Sequence, residues 1–128
     1  MVAAVLGVNA AFYAAIEAAD LDAMSDLWEH SDRVVCTHPG WATVRGWGAV
    51  SASWYAIFQG PQRLQFVLTN VAVASSGGTA WVTVDENLLA SEPGPGGTIS
   101  ALNLFVRGMD GAWRMVGHHG GLVAASLG

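Results

Sequence analysis

The sequence is poor in charge: charged residues make up 12% of its 128 positions, and lysine is absent. The five basic residues are all arginines, and the formal net charge is −5. So few cations cannot form the basic surface that neutralises phosphate groups, and we therefore expect no nucleic-acid partner. Scarce charge combined with 52% hydrophobic residues excludes intrinsic disorder and predicts an apolar surface that a second subunit covers.

Cysteine is nearly absent as well. The single Cys36 excludes an internal disulfide and a cysteine-rich zinc site. The histidines show no metal-binding spacing such as HxH or HExxH, and no glycine-rich phosphate motif follows a strand. We therefore expect no metal and no other cofactor, in a protein suited to a reducing compartment such as the cytoplasm.

Long hydrophobic runs are also missing. The apolar stretch 1–16 has no basic leader, is interrupted by Asn9 and ends before Glu17. It therefore predicts neither a membrane span nor a signal peptide, and we expect no membrane association. The length of the chain favours a single domain, residues 1–128, with space for one core and one pocket.

The first half of the chain has mainly helical periodicity. Apolar residues recur at spacings of three and four over 5–16 and predict a first helix. Asp20 is placed to cap a short second helix, and a third helix is expected from about 46 to 58. Between the second and third helices, alternation over 33–38 predicts a short strand that Pro39 ends.

The second half alternates with the period of strands, and turn-forming residues separate the strands. The order of elements predicts an α+β fold, in which three N-terminal helices pack on a curved, mostly antiparallel sheet. The expected strands are 63–74, 79–89, 98–107 and 112–119, with turns at 75–78, 91–97 and 109–111.

Several local strings carry a family resemblance. They are DLDAM at 20–24, CTHPGW at 36–41, GWGAV at 46–50, NLF at 103–105 and WRMVGHH at 113–119. Together with the order of elements, they resemble the SnoaL-like branch of the nuclear transport factor 2-like superfamily over nearly the whole chain. The resemblance implies a cone-shaped half-barrel that encloses an apolar pocket, and a homodimer formed through the convex side of the sheet.

The resemblance also assigns positions to a possible site. Isomerases, polyketide cyclases, dehydratases and noncatalytic modules share this fold, so the fold does not decide the function. In ketosteroid isomerase an aspartate base acts with a tyrosine and a protonated aspartate as oxyanion donors. The resemblance places His38 at the position of the base and Asn103 at that of the second donor. It places Phe12, which cannot donate, at the position of the tyrosine.

His38 and Asn103 each have a catalytic and a structural interpretation. His38 titrates near neutral pH, which suits a general base, or it holds the turn that follows. Asn103 can donate a hydrogen bond from its side-chain amide to an oxyanion, or its buried amide forms hydrogen bonds with a neighbouring strand or helix.

The orientation of the last strand decides whether His118 or His119 lines the pocket, because neighbouring side chains of a strand point to opposite faces. Alternation favours His118 inside together with Val116. It then puts His119 outside, on the same face as Trp113 and Met115. A bulge would exchange the two faces, so both histidines stay candidates for the pocket.

The same argument favours Glu86 inside the pocket and Asp85 outside. A carboxyl group in apolar surroundings has a raised pKa and can carry protons. Alternatively, the acid lies at a dimer interface or pairs with one of the five arginines. The other residues expected to line the pocket are Phe12, Tyr13, Trp41, Trp54, Val82, Val84, Phe105 and Val116.

Two functions remain open. The first is a cofactor-free isomerase, cyclase or dehydratase that acts on a small, apolar, ketone-like molecule. His38 would be its base, Asn103 and His118 its polarising donors, and Glu86 a second proton carrier. The second is a noncatalytic dimeric domain that binds a ligand or another protein, which the missing donor at Phe12 favours.

Overall fold

The computed structural model describes residues 1–61, 63–89 and 97–123. None of the helices in these ranges has the length and apolar character that a membrane span requires. In chain order, the described elements are α1 (Val2–Ala18), α2 (Leu21–Leu27), β1 (Val35–Thr37), β2 (Val44–Arg45), α3 (Trp47–Phe58), β3 (Phe66–Ser76), β4 (Thr79–Leu88), β5 (Thr98–Arg107) and β6 (Trp113–Leu122).

The strands form one sheet in the order β2-β1-β6-β5-β4-β3, antiparallel except where β1 pairs with β6. The helices pack against one face of this sheet, and the apolar core lies between the two layers. The predicted α+β fold with a mostly antiparallel sheet is confirmed. The sequence does not predict β2, because a two-residue strand shows no alternation. The turn expected at 91–97 lies, apart from Gly97, outside the described residues.

The first two helices follow the local sequence pattern closely. α1 buries one stripe of residues at helical spacing, among them Phe12 and Ile16. It ends where Ala19 adopts a left-handed conformation with φ of 50°. Asp20 then caps α2, because its carboxylate accepts the backbone N–H of Ala23 at 3.0 Å. This cap sets the residue at which α2 begins.

The long strands β4 and β5 carry polar side chains into the core. On β4, Val82, Val84 and Glu86 are buried, and the residues between them are more exposed. On β5, Asn103 is fully buried and lies opposite Val82 in the register. The alternation of each strand therefore directs one acid and one amide toward the helices.

A bulge in β6 interrupts its alternation. Leu104 of β5 pairs with Gly117, and Phe105 pairs with Met115, so Val116 is an extra residue without a partner in the register. An extra residue in one strand shifts the side-chain alternation beyond it by one position.

This bulge corrects the expected orientation of β6. Trp113 and Met115 are buried in the core, so the expectation that these two lie outside is wrong, whereas Val116 is half-buried and packs against the same core. Beyond the bulge, His118 is buried and His119 is exposed. His118 is thus inside as expected, and the bulge lets it share the inner face with Met115 three residues earlier.

The cap of α2 provides a first test. Replacing Asp20 by Ala removes the acceptor for the Ala23 N–H and should lower the free energy of unfolding by about 1 kcal/mol. Urea unfolding followed by circular dichroism measures this loss, and Asp20→Asn, which keeps an acceptor, should lose clearly less. Asp26→Ala, at an exposed position of the same helix, should change stability by less than about 0.5 kcal/mol. Equal losses at Asp20 and Asp26 would contradict the cap.

Candidate functional site

A cavity of about 240 Å³ lies between the helices and the inner face of the sheet. Ligand pockets typically have volumes of about 300–1,000 Å³, so this one suits a small molecule. Its ionisable lining residues are His38, Glu86 and His118. The rest of the described lining is apolar or aromatic and consists of Ile16, Pro39, Trp41, Trp54, Ile57, Leu64, Phe66, Leu88 and Ile99.

His38 stands just beyond β1, and its ring is held by α3. The Nε2 atom of His38 lies 2.9 Å from Ser53 Oγ, and Ser53 Oγ donates to the Val50 carbonyl oxygen at 2.6 Å. Because the hydroxyl has one proton, which goes to Val50, Nε2 of His38 must be the donor. Burial lowers the pKa of His38 to about 4, so the ring is neutral at pH 7 and Nδ1 is its unprotonated nitrogen.

Sulfur and aromatic rings surround His38. Cys36 Sγ lies 3.6 Å from His38 Nε2, nearer than the strand spacing alone predicts. Burial raises the pKa of Cys36 to about 12, so the group is a neutral thiol and a poor nucleophile. The rings of Trp41 and Trp54 meet His38 edge to face, with centroid distances of 4.9 Å and 4.6 Å.

A chain of hydrogen bonds connects the other two ionisable groups of the cavity. Tyr13 donates its hydroxyl to Glu86 Oε2 at 2.6 Å, and Asn103 Nδ2 donates to the Tyr13 oxygen at 3.1 Å. Asn103 Nδ2 also donates to Asn9 Oδ1 at 2.9 Å. At the far end, His118 Nδ1 lies 2.6 Å from Asn103 Oδ1. Side chains from α1, β4, β5 and β6 thus form one buried polar network.

Burial shifts the pKa of each ionisable group in this network. Desolvation raises the pKa of Glu86 to about 7, although the hydrogen bond from Tyr13 acts in the opposite direction. Desolvation and the neighbouring Glu86 raise the pKa of Tyr13, so its hydroxyl keeps its proton. Desolvation, followed by repulsion from His38 and His119, lowers the pKa of His118 to about 3. At neutral pH, therefore, both cavity histidines are neutral and Glu86 exchanges its proton readily.

Comparison with known proteins identifies the family. Residues 5–125 match the model of the SnoaL-like domain. The chain belongs to the SnoaL-like family. A solved structure of a candidate dehydratase of the NTF2-like family from Streptomyces avermitilis is 38% identical, covers 95% of each chain and has a TM-score of 0.85.

Two further relatives of this SnoaL-like domain have other descriptions. A candidate calcium/calmodulin-dependent protein kinase type II association domain from Thiobacillus denitrificans is 35% identical, covers 91% of this chain and 93% of its own, and has a TM-score of 0.83. F-box protein SKIP8 from Arabidopsis thaliana is 33% identical over 116 residues, which are 91% of this chain and 48% of SKIP8. The chain thus spans about half the length of that relative.

The structure brings three of the four expected catalytic residues of the SnoaL-like domain to the cavity. His38, Glu86 and His118 line it, as do the expected Trp41 and Trp54.

Asn103 differs from the expectation of a polarising donor. It is fully buried and does not line the cavity. Both of its amide hydrogens are used by Asn9 and Tyr13, so none is left for a substrate oxygen.

Six residues expected along the pocket lie elsewhere. Alternation shows which face of a strand is inside, but not how far along the strand the cavity extends, and here the core fills the part nearest these residues. Phe12, Tyr13, Val82, Val84 and Phe105 are buried in the core without lining the cavity, and Val116 is displaced by the bulge.

Sequence reasoning missed two polar residues of the site, Asn9 and Ser53, whereas it expected Tyr13 along the pocket and the structure places Tyr13 in the buried network beside it. Tyr13 supplies the hydroxyl that the resemblance assigned to the position of Phe12, one residue away. Asn9 lies one helical turn before Tyr13 in the same buried stripe, and a polar residue within an apolar stripe is a signal that could have found it. Ser53 had no comparable signal, because only the packing of α3 places it against His38.

Two observations concern additional ligands. In the part of the chain that the structure describes, no three His, Cys, Asp or Glu side chains lie close enough to share a metal ion. Trp54, in the cavity wall, has a buried indole N–H with no hydrogen-bond partner among the described residues. A buried donor without an acceptor is costly, and a ligand oxygen within reach would satisfy it.

The buried carboxyl group predicts a pH-dependent stability. The pKa of Glu86 is about 7 in the folded protein, against an ordinary value of 4.5. The folded protein therefore binds the Glu86 proton more tightly than the unfolded chain does. The stability that this proton provides is complete below pH 4.5 and is lost as the pH rises through about 7. Since a shift of one pKa unit corresponds to about 1.4 kcal/mol, the charged carboxylate lowers the free energy of unfolding by on the order of 3 kcal/mol.

Glu86→Gln should remove this cost and gain stability relative to the wild type on going from about pH 5 to about pH 8. Urea unfolding of both proteins at the two pH values measures the gain. The lowered pKa values of His38 and His118 make stability rise with pH, which is the opposite trend. This trend is common to both proteins and cancels in the difference between them. Asp85→Asn, one residue away on the outer face, is the matched control. A difference between Glu86→Gln and wild type that is the same at both pH values would exclude a raised pKa.

Proposed function

We propose that this SnoaL-like domain is a cofactor-independent isomerase or dehydratase for a small, neutral, ketone-like compound. The observation that carries the proposal is the composition of the cavity wall. Apolar and aromatic side chains surround two neutral histidines and one carboxyl group whose pKa is near 7. Glu86 exchanges its proton near the working pH, where acid–base catalysts are most effective, and the lowered pKa of His38 leaves its ring unprotonated and available as a base. The 38% identity to a candidate dehydratase supports the same class of reaction.

In the proposed dehydration, His38 is the base and Glu86 the acid. The unprotonated Nδ1 of His38 takes a proton from the carbon next to the carbonyl group. The electron pair of that C–H bond forms the new C=C bond, and the C–O bond on the neighbouring carbon breaks. Glu86 gives its proton to the departing hydroxyl, which leaves as water. Transfer of a proton from the His38 imidazolium to the Glu86 carboxylate restores the starting state.

An isomerisation would use the same groups without loss of water. The base takes the proton from one carbon, and the proton returns to another carbon of the enol. In both reactions the apolar wall limits access of water to the charged intermediates, which strengthens the electrostatic interactions inside the cavity. The described lining contains no arginine, so an anionic substrate would find no counter-charge there.

A ligand titration tests the proposal. Trp41 and Trp54 line the cavity, so flat ketones and enones that bind there should change the tryptophan fluorescence of the protein. For a compound that is also converted, His38→Gln should lower kcat by at least about 100-fold, the usual contribution of a general base. His30→Gln is the matched control, because His30 is exposed and stacks on Trp47 outside the cavity. Full turnover by His38→Gln would rule out this mechanism.

We also propose that the domain forms a homodimer through the outer face of its sheet. This outer face is defined by Trp81, Leu102, Leu104 and Val106, which alternate with the buried residues of β4 and β5. Leu102 at its centre is 36% exposed, which is high for a leucine flanked by strands on both sides. The 35% identity to a candidate association domain favours self-association. Catalysis and association are compatible because they use opposite faces of the sheet.

Leu102→Arg should weaken this dimer at least tenfold, because it buries an unpaired charge in the interface. Sedimentation velocity at micromolar concentrations measures the change. Tyr55→Arg, at an exposed apolar position on α3, should leave the association unchanged. A wild-type protein that sediments as a monomer would refute the proposed interface.

A further inference from the structure

The hydrogen bonds around Asn103 can be assigned a direction by counting protons. Tyr13 has one hydroxyl proton, and its 2.6 Å contact with a Glu86 oxygen uses that proton. The Tyr13 oxygen must therefore accept in its 3.1 Å contact with Asn103. The amide nitrogen of Asn103, and not its oxygen, thus faces Tyr13.

The other contacts of Asn103 agree with this direction. The same amide nitrogen lies 2.9 Å from Asn9 Oδ1, so its two hydrogens have one acceptor each. The amide oxygen is left to face His118, whose Nδ1 lies 2.6 Å away. Because an amide oxygen can only accept, Nδ1 of His118 must carry a proton.

The ring of His118 then presents its other nitrogen as an acceptor. The ring is neutral, since its pKa is lowered by burial to about 3, so a proton on Nδ1 leaves Nε2 unprotonated. No described protein group lies within hydrogen-bond distance of Nε2, and His118 is part of the cavity wall.

We propose that Asn103 is a positioning residue that holds His118 as its Nδ1–H tautomer, so that Nε2 accepts a hydrogen bond from a hydroxyl group of the ligand. This inference rests on the proposed function in one respect, because it names the ligand class of the same cavity. It changes the role of His118 from a polarising donor to an acceptor. The ligand is thus a neutral compound that bears a hydroxyl group.

His38 provides an internal comparison for this assignment. Its Nε2 donates to Ser53, so His38 is held as the opposite tautomer, with the proton on Nε2. The centroids of the His38 and His118 rings lie 6.4 Å apart, so the two rings share one environment. They nevertheless carry their protons on different ring nitrogens. If burial alone set the tautomer, both rings would have the same one. The different tautomers follow from the specific hydrogen-bond partner of each ring, Ser53 for His38 and Asn103 for His118.

Long-range ¹H–¹⁵N correlation spectra of the wild-type protein test the tautomers directly, because protonated and unprotonated ring nitrogens have well-separated shifts. The four histidines are assigned with single His→Gln variants. We expect His118 as the Nδ1–H form and His38 as the Nε2–H form. A wild-type His118 that carries its proton on Nε2, or on both nitrogens, would overturn the proposal whatever the variants do.

Asn103→Leu, of similar shape, removes the acceptor of the Nδ1 proton. His118 should then change to the Nε2–H tautomer, while His38 keeps its own. An unchanged His118 tautomer in the folded variant would show that Asn103 does not position the ring. If the variant does not fold, the wild-type spectrum still decides the proposal.

A matched pair of probes tests the ligand class. Calorimetry should show that the wild type binds 2-naphthol about tenfold more tightly than 2-methoxynaphthalene, the value of one neutral hydrogen bond. Asn103→Leu should lose this preference. Equal binding of both probes by the wild type would overturn the acceptor role of Nε2. Binding of neither probe would refute the ligand class together with the proposed function, and the tautomer spectrum would still decide the role of Asn103.

Discussion

The hydrogen bond from Tyr13 to Glu86 is the interaction on which the polar interior of this protein depends. A carboxyl group on the inner face of β4 is costly to bury unless a donor meets it, and α1 supplies that donor at 2.6 Å. The bond joins residues 73 positions apart and gives a direction to every contact beyond it. Asn103 is oriented by Tyr13, and His118 by Asn103, so one buried acid organises a network that spans one helix and three strands.

The bulge at Val116 is a second constraint on the site. Without the extra residue, strict alternation would place Met115 and His118 on opposite faces of β6. With it, Met115 lies in the core beside Trp28 and His118 reaches the cavity. One inserted residue therefore reconciles a packed core near the start of β6 with a histidine in the cavity wall, a common use of bulges near functional sites.

The two faces of the sheet are formed by alternate residues of the same strands. The helices cover the inner face and enclose the cavity, while the outer face of β4 and β5 stays accessible in the single chain. Substitutions along the cavity leave the outer face unchanged, because alternate residues of each strand serve the two faces. A candidate dehydratase and a candidate association domain are both similar to this chain, at 38% and 35% identity. Function in this family therefore has to be argued from the residues of each face.

Local sequence determined the elements and much of their orientation. The helical spacing over 5–16, the cap at Asp20 and the alternation of β4 and β5 depend on neighbours within a few residues, and all are found in the structure. Only the tertiary structure decided the contacts of Tyr13, Ser53 and Asn103, and the extent of the cavity. Adjacent residues on a helix point about 100° apart, so only the docking of α1 shows that Tyr13, not Phe12, reaches Glu86. Such contacts depend on strand register, on a bulge and on helix docking, none of which leaves a periodic trace in the sequence.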